Sequence, residues 1–184
     1  MAAYHTVLVH FPIALFMTAT LAILLRAVSD GPLAMAVDRA LVPLMAVGLV
    51  SGVTAYGVGL LVWPWEAISS TPLGRNHMLL ATWTLAYWAL MLATRWTHGE
   101  VVWDSVGRWI MAGLAILGSI LLAITGTLGG HLVGIYSEVS EALRLLGWEV
   151  YTTYYVPNVT LAAIVIASGV LAAIGILGRR QQGN

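Results

Sequence analysis

The sequence predicts an all-α integral membrane protein, a helical bundle of five transmembrane helices with a four-helix core and a C-terminal fifth. Three observations carry that reading. Of 184 residues, 60% are hydrophobic and 9% charged, whereas a soluble domain carries about 25% charged residues. The apolar residues gather into five runs near the length needed to cross a bilayer, about 20 residues each. Inside hydrocarbon a backbone must satisfy its own polar groups, so such runs are helices rather than open strands. One transmembrane domain spans 1–184.

The first run covers 5–25 and contains HFPIALFMTATLAILL. It lacks a basic leader and continues to Arg26, so it reads as a span rather than a cleaved signal peptide. The turn signal Asp30-Gly31-Pro32 separates it from the second span, 41–63. Pro64 and Thr71-Pro72-Leu73-Gly74 break the chain before the third span, 77–94. His98-Gly99-Glu100 lies in the next connection, ahead of the fourth span, 109–128. The fifth span covers 159–177. Before it, 137–150 places Val139, Leu143, Leu146 and Val150 at helical spacing, which predicts an amphipathic helix on the outer surface. It reads as a docking surface for a partner, or as a lid over the helices.

Arginine positions set the orientation. Five spans collect Arg26, Arg39, Arg95, Arg108, Arg179 and Arg180 on one side and leave only Arg75 and Arg144 on the other. The positive-inside rule makes the first side cytoplasmic. The expected location is the cytoplasmic (inner) membrane, with the N-terminus outside and the C-terminus inside. Trp63, Trp65, Trp96, Trp103, Trp109, Trp148, Tyr4 and Tyr155 fall near predicted interfaces, where amphipathic rings belong.

Several chemistries are excluded. The net charge is zero and no basic tract occurs, so nucleic acid is not a partner. Cysteine is absent, which removes disulfides, thiolate metal sites and covalently attached haem. Asp30, Asp38, Glu66, Glu100 and Asp104 all fall in predicted connections. That argues against a proton-coupled carrier with a midplane carboxylate.

The histidines remain. His10, His77 and His131 each lie at a helix end on the outer side, and the alternating path of the chain brings them to one leaflet. Intramembrane ionisable groups are costly and are functional by default, and neutral imidazole is the common ligand for a metal or haem iron. His5 lies about 140° around the helix from His10 and reads as a solvated terminal residue. His98 lies on the opposite side. Each of the three outer histidines also has a purely structural alternative, hydrogen bonding to a neighbouring helix or loop. Gly48, Gly52, Ala55 and Gly59 form a small-residue face, joined by Gly126, Gly129 and Gly130. Such faces serve either plain helix packing or a slot for a flat cofactor.

Two segments, VHFPIAL (Val9 to Leu15) and GTLGGHLV (Gly126 to Val133), resemble the small bacterial and archaeal membrane proteins grouped as domain-of-unknown-function family 2231. The resemblance covers roughly Tyr4 to Tyr136. It implies a helical membrane bundle and importance for His10, Gly129, Gly130, Leu132 and Val133, with His77 also matching a family histidine. This chain has His5-Thr6 where the family often has His-Pro, and it lacks the family's further histidine beyond Val133.

The expected function is a b-type haem subunit passing electrons between the quinone pool and a redox partner on the outer face, within a larger respiratory or electron-transfer complex. One haem b is expected, with quinone as a further ligand. His10 is the first axial candidate and His77 or His131 the second. Gly52, Gly129 and Gly130 would line the slot, and Arg75 and Arg144 would pair with the propionates. The alternatives are a copper or zinc site built on His10, His77 and His131, and a cofactor-free structural subunit. The expected partners are the lipid bilayer, other membrane subunits and a periplasmic or extracellular redox protein.

Overall fold

The structure, a computed structural model, describes residues 2–148 and 158–182. The described residues are helical and contain no strand. Val150 and Tyr155, read above as a helix-face residue and an interface residue, lie outside them.

Helix α1 covers Ala2–Leu8 and α2 covers His10–Val28. Together they make one apolar stretch, Tyr4–Val28. The interruption at Val9 follows from Pro12, which has no N–H to offer the Leu8 carbonyl. Regular bonds flank the gap, from Val9 N to His5 O at 3.0 Å and from Ile13 N to Val9 O at 3.3 Å.

Helix α3 covers Pro32–Val62, starting well before the expected residue 41. Gly31 precedes it and Pro32 occupies its first turn, where a missing N–H costs nothing. Asp38 therefore lies inside the helix rather than in a connection. A short α4, Trp65–Ser69, follows. Helix α5 covers Pro72–His98 and likewise starts earlier than residue 77. The Thr71-Pro72 pair, expected to break the chain, starts the helix instead. The Thr71 hydroxyl accepts from Gly74 N at 3.1 Å, satisfying one of the unpaired N–H groups of the first turn. Gly99 ends α5 with φ +54°, a conformation few other residues adopt at low cost.

A 3-10 turn, Gly99–Trp103, leads to α6, Gly107–Leu132. Helix α7 covers Glu138–Leu145 and α8 covers Asn158–Gln182. Helix α7 corrects the amphipathic expectation in part. Leu143 is buried with Leu73, Leu80 and Leu128, but Val139 and Leu146 are exposed, because a helix this short packs only its central turn against α6.

Among the described residues, four helices are long and apolar enough to cross a membrane: Tyr4–Val28, α3, the stretch Pro72–Trp103, and α6. Their outward faces are apolar, with Leu21, Val50, Leu61 and Leu90 exposed. Helix α2 packs on α3 and α6, and α5 packs on the same two, so α3 and α6 stand at opposite corners. Phe16, Ile23, Leu41, Met45, Trp88 and Met91 fill the centre. The Phe16 and Trp88 rings stack at 4.5 Å with an interplanar angle of 8°. Hydrogen bonds cross between helices from the Tyr87 hydroxyl to Leu114 O at 2.7 Å and between Thr20 and Ser119 hydroxyls at 2.7 Å.

Opposite ends of the helices differ sharply in chemistry. At one end the Arg95 guanidinium grips Asp38 with two bonds, Nε to Oδ1 at 3.1 Å and Nη2 to Oδ2 at 2.8 Å. Arg95 also reaches Glu100 at 2.8 Å, and the Trp103 indole N–H donates to Asp38 at 3.1 Å. Arg26 and Arg108 both bond Asp30. This pairing lets α3 carry a carboxylate that an isolated apolar helix would not tolerate. His5, His10, His77 and His131 lie toward the other end, and His98 stays at the arginine end.

Candidate functional site

A cavity of about 420 Å³ opens among α1, α2, α3, α5 and α6 at the histidine end. That volume lies in the range of small-molecule sites, about 300–1,000 Å³. His5, His10 and His77 line it, with Tyr56, Thr84 and Thr125 as further polar groups. Among the described residues, no Asp, Glu, Lys or Arg lines it.

Two of these histidines are held in the same way. The His5 Nδ1–H donates to the Ala55 carbonyl of α3 at 2.8 Å. The His77 Nδ1–H donates to the Thr125 carbonyl of α6 at 3.1 Å. In each case the residue four positions on is glycine, Gly59 after Ala55 and Gly129 after Thr125. A helical carbonyl points toward residue i+4, so a side chain there would cover it. Glycine leaves it open to an outside donor. The imidazoles fill the space, with a β-carbon at Gly59 falling 2.8 Å from His5 Cε1 and one at Gly129 falling 2.9 Å from His77 Cε1. Trp63 braces His5 edge-on at 5.2 Å. The Thr84 and Thr125 hydroxyls meet at 2.9 Å beside the His77 seat.

His10 is exposed, and its Nδ1–H donates to Thr6 O of the preceding turn at 2.7 Å. A carbonyl can only accept, so Nδ1 is the donating nitrogen in all three rings, and in the neutral form of each ring Nε2 keeps a lone pair. Backbone-held Nδ1 with a free Nε2 is the arrangement typical of a metal-ligating histidine. Among the described residues, no group of three or more His, Cys, Asp or Glu side chains lies close enough to hold a bare metal ion.

The remaining expected site residues fall elsewhere. His131 lies in the last turn of α6, but its ring is buried edge-on against Tyr136 at 4.8 Å and does not line the cavity. Residue 131 sits one step round the helix from Gly130, and that rotation turns it away. Gly130 lines the cavity, and its carbonyl accepts from Val133 and Ile135 N–H groups in the turn that ends α6. Gly52 lines the cavity too, although Leu85 Cδ2 occupies its bare face. Arg75 is exposed and caps Ser69 O at 3.1 Å, while Arg144 pairs with Glu141 at 3.2 Å. Neither arginine reaches the cavity. His98 bonds Thr94 O at 3.1 Å at the far end. His5, expected to be solvated, lines the cavity instead, because α1 packs along α3.

The fold and cavity define a protein of membrane-length apolar helices with a histidine-lined chamber at one end. Comparison with protein-family models, with curated proteins and with solved structures finds nothing that matches. The two segments VHFPIAL and GTLGGHLV, far apart in sequence, both line the chamber, through Val9, His10, Pro12 and Ile13 and through Gly126, Gly129, Gly130, Leu132 and Val133.

Proposed function

We propose that the chamber binds one b-type haem and that the protein is an electron-carrying membrane subunit of a larger complex. Electrons would pass between the quinone pool and a redox protein on the outer face. The observation that supports this is the set of three cavity-lining imidazoles, each with Nδ1 committed to a backbone carbonyl. Such rings have one remaining valence, the Nε2 lone pair, and haem iron takes up that valence through axial histidine. Bound haem supplies one-electron redox chemistry. The chain's own residues would orient the ligating rings through the carbonyls that hold Nδ1. Among the described residues, no three His, Cys, Asp or Glu side chains converge into the set that a zinc ion takes. Haem brings its own equatorial nitrogens and needs two imidazoles.

The wider assignment follows the same reading. Membership of domain-of-unknown-function family 2231 is part of the proposal, supported by the meeting of its two segments at the chamber. Helix α8 acts as a fifth span and carries Arg179 and Arg180 to the arginine end, which the positive-inside rule makes cytoplasmic. A cofactor-free structural subunit is the second reading. It is favoured by Gly48 and Gly118, whose bare faces are already filled by Phe16 and by Tyr87 and Trp88.

The deciding experiment is a reduced-minus-oxidised visible spectrum with a pyridine haemochrome assay on protein purified from haem-replete cells. A b-type spectrum near one haem per chain is expected. A folded but colourless protein would overturn the haem reading in favour of the structural one.

A further inference from the structure

We infer that His5 and His77, and not His10, form the axial pair of the chamber; this rests on the haem reading above. The two rings share a construction that His10 lacks. Each is held across a helix boundary, by a carbonyl of a helix other than its own. Each lies on a glycine four residues beyond that carbonyl. The two seats are on α3 and α6, which stand at opposite corners of the four packed helices. The two seats therefore belong to different walls of the chamber that both residues line.

His10 bonds only the preceding turn of its own stretch and is exposed. Its orientation is not fixed by the packing of a second helix. A ligand pair must be held before the cofactor arrives, and rings locked by outer hydrogen bonds meet that need. His10 is left to the chamber mouth.

The test compares His5→Met, His77→Met and His10→Met with wild type, in detergent, by visible spectroscopy and redox titration. Replacing one axial imidazole by thioether raises the reduction potential while keeping a chromophore. A potential raised to the extent that thioether ligation gives is expected for His5→Met and for His77→Met, and a much smaller shift for His10→Met, whose ring lines the chamber without ligating. A shift in His10→Met with none in either other variant would overturn the pair. Alanine variants supply the check on folding: added imidazole should restore the spectrum of His5→Ala and His77→Ala. Gly129→Ala should weaken haem retention about 10–100-fold, as other changes behind a ligating histidine do. In the haem-free protein, nitrogen-15 shifts should report Nδ1–H tautomers at His5 and His77, and Nε2–H tautomers there would also overturn the pair. A wild type that folds without a chromophore overturns the haem reading itself, an outcome distinct from each of these.

Discussion

The His77 imidazole occupies the space that a β-carbon on Gly129 would need, 2.9 Å from that carbon to Cε1. The same ring reaches the Thr125 carbonyl one turn back. Gly129→Ala must therefore move the ring and lengthen or break that bond. The expected cost is about 1–3 kcal/mol, the range for overpacking a filled site. Unfolding in detergent measures it, and the His77 nitrogen shifts report the broken bond. Unchanged His77 shifts would show that the seat is looser than its contacts indicate.

Gly48→Ala offers a contrast. Its β-carbon would fall 2.7 Å from Phe16 Cε1, and that ring is fully buried against Trp88. A comparable loss of about 1–3 kcal/mol is expected, but with the chamber intact. Ligand retention by the folded fraction should equal wild type. A specific loss of ligand in Gly48→Ala would show that the core and the chamber are mechanically coupled.

Arg95→Ala leaves the Asp38 carboxylate buried without its fork of two bonds. Removing one partner of a buried pair costs about 3–5 kcal/mol. Arg95→Lys keeps the charge but not the planar, two-pronged geometry and should fall between. Unfolding by denaturant in micelles ranks the three. A loss below about 1 kcal/mol for the alanine variant would mean that water screens the pair as it does at a surface.

The α2–α3 connection carries a pH dependence of defined sign. Hydrogen bonds from Arg26, and then from Arg108, hold the Asp30 carboxyl below its ordinary value of 3.8. A group whose pKa is lowered on folding contributes above its unfolded value and loses that contribution as pH falls through the lowered one. The clasp should therefore be complete above 3.8 and open only in stronger acid. A carbon-13 titration of the Asp30 carboxyl should give a midpoint below 3.8 in wild type and a higher one in Arg26→Gln. A wild-type midpoint at or above 3.8 would show that the arginines do not hold it.

Composition alone determines that this chain forms long apolar helices, because 9% charge cannot cover a water-facing surface and lipid leaves the backbone no other way to satisfy itself. That His10 and His77 lie at one end of the helices was legible as well, since each sits near the same end of its apolar run. The helix starts at Pro32 and Pro72 are local, since proline suits the first helical turn, so prolines that read as breaks begin helices. Two things were decided only by tertiary structure. Asp38 is admitted to α3 by Arg95, 57 residues away, and no local pattern announces that pairing. His5 enters the chamber while His131 leaves it, because the direction of an imidazole is set by helix rotation and by which neighbouring glycine exposes a carbonyl. Sequence periodicity fixes the faces of a helix; only packing fixes what each face meets.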